Sequence, residues 1–509
     1  MNRKTLLLSA TVLFASTGLL AQALPVDSID ALVERTREAF DVPGIAVAVI
    51  KDGKVVLARG YGYRSLASKA PVNEHTAFGI ASNSKALTAA ALGMLVDEGK
   101  LGWDDKVIKY IPEFRLYDPW VTKEFTIRDL LTHRSGLGLG AGDLMFFPDS
   151  TDFTIKDIIQ NLRFLKPVSG FRTKYDYDNN LYIVAGEVLA RVSGMSWMDF
   201  IQQRFLDPIG MPDSAPTYER LRSTENVIDA HAPVEGTVRV IRRHTEPTGN
   251  AAGSIYSSVA DMAKWVQVQL DHGKYNGGKQ LFSDAVHEEQ WTPQTIIPVR
   301  SPGYYGTHFG SYGLGFFLSD VKGYKQVTHT GSLEGMVTQV TMLPELGLGI
   351  IVLTNQQEGG AFSAITNTIK DAYLGLPRRD WVSLNAQNRK AALANGKHIT
   401  DSIGQIVALA AARADKGSTT GIEGTYRDAW FGDVLIAPRN GQLWFTSRRS
   451  PKLNGPMYRF KDNTFIVKWT DRSMDADTFA EFTVDVKGKV TGIRMKPISP
   501  LTDFSYDFQ

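Results

Sequence analysis

Up to about residue 375 the chain carries strand signals at both ends and helix signals between them, and this arrangement constrains the fold most. Near the start, Ile29, Leu32, Val33 and Phe40 recur at helical spacing over Ser28 to Phe40. Gly44 to Ile50 follows as a β-branched run, Asp52-Gly53 is a hairpin turn signal, and Val55 to Tyr63 reads as a second strand. At the far end Tyr312 to Leu318, Gln326 to His329, Thr338 to Leu343 and Gly349 to Thr354 read as extended. Pro344 to Gly347 turns between the last two, and Ala361 to Leu374 is helical. Between these ends lie helical patterns at Ser82 to Glu98, Ile155 to Leu165, Leu181 to Val192 and Val259 to Leu270. One sheet built from both ends accounts for this order. The predicted class is α/β or α+β: an antiparallel sheet flanked by helices, with a helical subdomain inserted on one side.

The two flanks differ from this body. Arg3 and Lys4, an apolar stretch from Leu6 to Leu20 and the small-x-small Ala21-Gln22-Ala23 together have the form of a secretory signal peptide over 1–23. The apolar run is shorter than the roughly 20 residues that span a bilayer, so a stable membrane anchor is not expected. The catalytic-size unit runs over 24–376, and 377–420 reads as a helix-containing linker rich in Ala, Asn, Lys and Arg. From 421 to 509, short alternating segments separated by turns such as Asn440-Gly441 predict a small antiparallel β-barrel or sandwich.

Composition removes several function classes. With 56 basic and 54 acidic residues the net charge is +2, which gives no electrostatic footprint for nucleic acid. The chain has no cysteine, so disulfides, thiolate nucleophiles and cysteine zinc sites are excluded. No Gly-x-Ser-x-Gly elbow occurs. His287-Glu288 lacks the second histidine of a zinc-protease helix, and Gly273 to Lys279 is followed by Gln280 where a phosphate loop needs Ser or Thr.

The positive signal is Ser82-Asn83-Ser84-Lys85 at a helix start. A spacing of three puts both side chains on one helical face, and the helix N-terminus favours an alkoxide and an unprotonated amine. A desolvated lysine then serves as a base. Alone, the pattern equally describes a helix cap with a solvated lysine, and it recurs at Ser319 to Lys322 where a strand has just ended. Two further segments add weight. Tyr177-Asp178-Asn179 precedes an amphipathic helix; a phenol held between two ammonium groups loses its proton more readily, and Asn179 can bind a substrate amide. His329-Thr330-Gly331-Ser332 ends a strand, where glycine lets a substrate backbone approach and the Ser332 and Ser82 N–H groups are candidates for an oxyanion hole.

Ser-x-x-Lys, then Tyr-x-Asn roughly 95 residues later, then His-Thr-Gly, in this order, resembles the serine β-lactamases and penicillin-binding proteins. The flavour is class C, with its D-alanyl-D-alanine carboxypeptidase, D-aminopeptidase and esterase relatives. TIRDLLTHRSGL at 126–137, YDNNLYIVAG at 177–186, AGSIYSSVAD at 252–261 and YGLGF at 312–316 fit the same pattern, so the resemblance covers roughly 26–375. It implies Ser82 as acylated nucleophile and Lys85 with Tyr177 as the general base pair. It further implies Asn179 as substrate-amide ligand, His329 and Thr330 as the box facing a substrate carboxylate, and Gly331 and Ser332 as the edge strand beside the acyl group. His133 falls in a segment that is a structural turn in the family. The third box holds His329 where class C β-lactamases resemble Lys-Thr-Gly, which favours a peptidase or esterase. The appendage is similar to the small lipocalin-like barrel of some D-amino-acid-directed peptidases.

The resulting expectation is a secreted serine hydrolase, periplasmic or extracellular, acting through an acyl-enzyme on amide bonds of a D-amino-acid-containing or cell-wall-type peptide. The alternatives are a β-lactamase, a short-chain esterase, or a penicillin-binding receptor that does not turn over. No metal or organic cofactor is implied, the partner is a small-molecule or peptide substrate, and the oligomeric state is open.

Overall fold

In the computed structural model, residues 24–245, 247–412 and 421–508 are described; the expected leader over 1–23 lies outside them. Helix α1, Val26–Ala39, leads into strands β1, Gly44–Lys51, and β2, Lys54–Gly62. The chain returns to the same sheet only after some 230 residues, with β3 (Thr295–Ile296), β4 (Gly310–Tyr312), β5 (Phe317–Val321), β6 (Tyr324–Leu333), β7 (Met336–Leu343) and β8 (Leu348–Thr354). The sheet order is β2-β1-β8-β7-β6-β5-β4-β3, antiparallel throughout. Both ends of the catalytic unit therefore do build one sheet, closed by β1 against β8 with Ile45 opposite Thr354.

The sheet is covered on both faces, and β1 shows how. Ile45, Val47 and Val49 join one core with α1 and a helix α5 (Gly359–Tyr373), which contribute Val33 and Ile365. Ala46, Ala48 and Ile50 join the other core, with α2 (Ser84–Asp97) and α4 (Val259–Leu270). A strand buried on both faces reads as a continuous apolar run. Helix α2 is buried all round, from Ser84 to Leu95, as a central helix hydrophobic on every side must be. Helix α3 (Asn180–Ser193) packs on α2 from the inserted helical region.

One expectation is corrected. Tyr312 to Leu318 is not one strand: it breaks at Gly313–Phe316 into the β4–β5 hairpin. Gly315 there has φ 86°, and a Cβ on it would lie 2.7 Å from the Ala86 Cα of α2, so the apolar run folds back against that helix. The stretch expected to be a helix-containing linker holds one long helix, α6 (Trp381–Ala412), of 32 residues. Its start buries Trp381 and Val382 against α5, and Val407 packs on Ile466 of the appendage.

The appendage is a seven-stranded up-and-down sheet: β9 (Gly424–Asp428), β10 (Gly432–Arg439), β11 (Gln442–Ser447), β12 (Asn454–Lys461), β13 (Thr464–Val467), β14 (Thr478–Val484) and β15 (Val490–Pro497). Tyr426 of β9 meets Phe482 of β14 with ring centroids 5.7 Å apart, so the sheet curls almost closed around its core. Among the described residues no helix is long and apolar enough to cross a membrane.

Candidate active site

Ser82 lies in a 3-10 turn, Ala81–Asn83, that runs straight into α2. Ala81 before it has φ 49°, a left-handed conformation uncommon for alanine. Thr338 of β7 pins the turn, donating to the Ile80 carbonyl at 3.0 Å and accepting from Asn83 Nδ2 at 2.8 Å. Strand β6 passes so close that a Cβ on Gly331 would sit 2.2 Å from the Ile80 oxygen. Only glycine permits that approach. Thr330 and Ser332, either side of it, border the same pocket as Ser82, Tyr177, Asn179 and His329. The Ser82 N–H belongs to a first turn without intrahelical acceptors.

Lys85 follows one turn later with no exposed surface. Its Nζ donates to Ser82 Oγ at 3.0 Å, to Asn179 Oδ1 at 2.7 Å and to the Ala252 carbonyl at 2.8 Å. Burial pushes its ammonium down to about 7, while the Asp143 and Asp178 carboxyls pull it up. Such a lysine is substantially a free amine near neutral pH. Asn179 is an orienting group: Oδ1 accepts from Lys85 and Nδ2 donates to Asp143 Oδ2 at 2.8 Å. Its second Nδ2 hydrogen remains for a substrate amide.

The premise for Tyr177 is corrected. Among the described residues one ammonium faces it, Lys85, whose Nζ is 4.8 Å from the ring centroid. Burial pushes the phenol well above its ordinary value, outweighing the opposite pull of the hydrogen bond with Ser82. Tyr177 is thus a neutral phenol. His329, at the place of the family's third-box lysine, supplies no second charge: burial and Lys85 hold its imidazolium down to about 3. Its Nε2 meets the Tyr312 hydroxyl at 3.0 Å, and its Nδ1 lies 2.6 Å from the Thr330 oxygen.

His133 behaves as scaffold. It is fully buried, accepts the Asp178 N–H at Nδ1 (3.1 Å), and packs its ring 4.2 Å from that of Tyr177. The second Ser-x-x-Lys lies on β5 and in the turn after it, with Lys322 at φ 52°.

The sequence passed over several groups. Asp143, in a loop without a recognisable motif, is fully buried, and burial together with Asp178 drives its carboxyl well above the usual range. Its Oδ2 also accepts from Ser505 Oγ at 2.9 Å. Burial raises Asp178 to about 7, against the pull of the Leu181 and Asn180 amides. At the pocket's far end, Asp149, His244 and Glu334 bring ligand-type atoms within 4.8 Å of one another. Lys452 of the appendage lies among them, 2.5 Å from Asp149 and 3.5 Å from Glu334, and Arg242 reaches Asp149 at 3.5 Å. Among the described residues that line the pocket, Glu219, Glu334 and Asp503 are acidic and none is lysine or arginine.

With a two-faced sheet, a Ser-x-x-Lys helix beneath it and Tyr-x-Asn against the lysine, the class is that of β-lactamase-like serine hydrolases. The β-lactamase family profile matches residues 29–374, and the chain belongs to that family. Residues 415–509 match a domain of unknown function, DUF3471. The chain is 30% identical over 369 residues to an unguisins hydrolase of Aspergillus violaceofuscus, covering 67% of this chain and 64% of that protein. It is 24% identical over 344 residues to the protein flp of Staphylococcus aureus strain MW2, covering 64% of this chain and 62% of the other. The chain thus spans a little under two thirds of these relatives. Its fold is similar to that of an octameric penicillin-binding protein homologue from Pyrococcus abyssi: TM-score 0.62, 22% identity, 94% of this chain and 99% of the other.

Proposed function

We propose that this chain hydrolyses amide or peptide bonds through an acyl-enzyme on Ser82. The observation that carries this is the Ser82 Oγ to Lys85 Nζ contact of 3.0 Å with a lysine held near a value of 7. Lys85, as free amine, takes the Ser82 proton as Oγ bonds to the substrate carbonyl carbon. The Ser82 and Ser332 amides receive the developing oxyanion. Collapse breaks the bond to the leaving nitrogen, which takes up the Lys85 proton by way of the neutral Tyr177 hydroxyl. Water then cleaves the ester by the reverse relay and restores Ser82.

The charge pattern narrows the substrate. A neutral His329 and a pocket bordered by Glu219, Glu334 and Asp503 offer no strong grip on a substrate carboxylate. This favours aminopeptidase-like or internal cleavage of peptides, including those with D-amino acids, over carboxypeptidase or β-lactamase action. A relative named for hydrolysis of unguisins is in keeping with a hydrolase. Esterase activity on short acyl groups follows from the same chemistry. The leader-like form of 1–23 supports export to the periplasm or medium.

Mass spectrometry after treatment with a fluorophosphonate is expected to show a single adduct on Ser82. Steady-state assays with D-amino-acid amides, nitrocefin and p-nitrophenyl esters are expected to show turnover, with nitrocefin slowest. A Ser82→Ala protein working at the parent rate overturns the mechanism; acylation without turnover would make the protein a receptor.

A further inference from the structure

The last residues leave β15 and cross from the appendage to the catalytic unit. Leu501 packs against α6, where a Cβ on Gly396 would lie 2.9 Å from it. Further on, Tyr506 sets its ring 5.1 Å from that of Phe147, and Phe508 stacks on Trp469 of the appendage at 6.1 Å. Between these anchors Asp503, Phe504 and Ser505 border the pocket that holds Ser82. Phe504 presents its ring to Tyr177 edge-on, 5.8 Å between centroids and 80° between planes. It is accommodated by Gly140, φ 69°, where a Cβ would lie 2.7 Å from the Phe504 oxygen.

Two features set this segment apart from ordinary domain packing. Phe504 is 40% exposed, whereas Tyr506 two residues on is 5% exposed. A ring that merely sealed the interface would be covered as Tyr506 is; Phe504 instead keeps a face on the pocket. Ser505, moreover, ends a continuous relay. Its Oγ donates to Asp143 Oδ2 at 2.9 Å, Asn179 Nδ2 donates to the same oxygen at 2.8 Å, and Asn179 Oδ1 accepts from Lys85 Nζ at 2.7 Å.

We propose that Asp503–Ser505 is a working part of the active site. Phe504 is the wall that limits the size of the substrate group lying over Tyr177, and Ser505 is a positioning residue for Lys85 through Asp143 and Asn179. This rests on Ser82 being the nucleophile. It identifies the substrate class as one whose group beside Tyr177 is small and apolar, since Leu139 and Phe146 border the pocket beside Phe504.

The test uses the full chain, p-nitrophenyl acetate, butyrate and octanoate, and fluorophosphonate labelling of Ser82. Phe504→Ala is expected to raise the octanoate-to-acetate ratio of kcat/KM about 10-fold or more, as relief of a steric wall by several methylenes requires. Phe504→Trp is expected to lower it. Ser505→Ala is expected to reduce kcat several-fold on every ester with KM unchanged, and Ser505→Thr to restore it; a purely structural serine would not divide kcat from KM in this way. Ser82 labelled as in the parent, with ratios within two-fold for both Phe504 variants or with Ser505→Ala at parent kcat, overturns the proposal alone. No label on Ser82 in the parent, with Ser82→Ala fully active, overturns the nucleophile reading and this proposal with it.

Discussion

Replacing Gly331 by alanine places one methyl group at the tightest contact in the site. The new Cβ would lie 2.2 Å from the Ile80 carbonyl oxygen, 2.5 Å from Thr338 Oγ1 and 3.0 Å from the Ala81 Cβ. Two of these atoms are the ones that fasten the turn bearing Ser82, because Thr338 donates to that same Ile80 oxygen. Relief to ordinary contact demands a separation of β6 from the turn of about 1 Å, and overpacking of this kind costs about 1–3 kcal/mol. A shift of that size in a reacting constellation reduces rate by about 100-fold, here because the Ser82 and Ser332 amides would no longer converge on one oxygen. The assay is kcat/KM on a p-nitrophenyl ester beside a thermal melt. Gly349→Ala is the control: its Cβ would meet Val266 Cγ1 at 2.4 Å inside the sheet, away from the pocket. It is expected to lower the melting temperature with kcat intact. A folded Gly331→Ala protein with the parent kcat/KM would refute the pairing of β6 with the Ser82 turn as the catalytic frame.

Four further outcomes follow from the charges. Lys85 and Asp178 are both held at about 7, so kcat/KM is expected to fall as pH drops through neutrality, when the lysine takes up its proton and ceases to be a base. Lys85→Arg, a cation that does not deprotonate, is expected to lose about 10²–10⁴ of the rate at every pH; a variant retaining the parent's acid limb would count against Lys85. His329→Lys is expected to improve KM for a carboxylate-bearing substrate over its neutral amide by about 10-fold through a charge-assisted bond, and an unchanged ratio would show that the third box does not choose between them. Lys452→Met removes the ammonium between Asp149 and Glu334, 1% and 11% exposed, and leaves Arg242 3.5 Å from Asp149 and His244 3.5 Å from Glu334. It is expected to destabilise by about 3–5 kcal/mol, partly restored by Asp149→Asn, read by thermal melting.

What was legible in the sequence was whatever depended on local pattern. β1 and β8 are apolar throughout because both of their faces are covered, and that run survives as a signal whatever lies between. Ser82 and Lys85 could be read because one helical turn joins them. The run from Tyr312 to Leu318 misled for the opposite reason: its residues are apolar because the hairpin packs on α2, so burial hid the turn that Gly313 and Gly315 permit. Helix α6 buries only the side chains of Trp381, Val382 and Val407, so the sequence shows helix-forming stretches there without the period that would join them into one long helix. Asp143 and Ser505 were invisible because their bond joins positions 362 apart, and neither residue carries a motif of its own.

His329 shows what a single letter can and cannot carry. In the sequence it marks a missing third-box lysine, a departure that favours a peptidase or esterase. What the sequence withholds is the ring's surroundings: with Tyr312 at Nε2, Lys85 nearby and no solvent, the imidazole stays neutral. Its neutrality removes the second cation from Tyr177, and burial then keeps the phenol protonated. In the proposed mechanism the base duty falls to Lys85, whose ammonium burial brings down to about 7. The same desolvation thus disables a phenolate and creates an amine base within a single pocket. An active site of this charge pattern depends on keeping water out of the space beneath Ser82 more than on any one partner of the lysine.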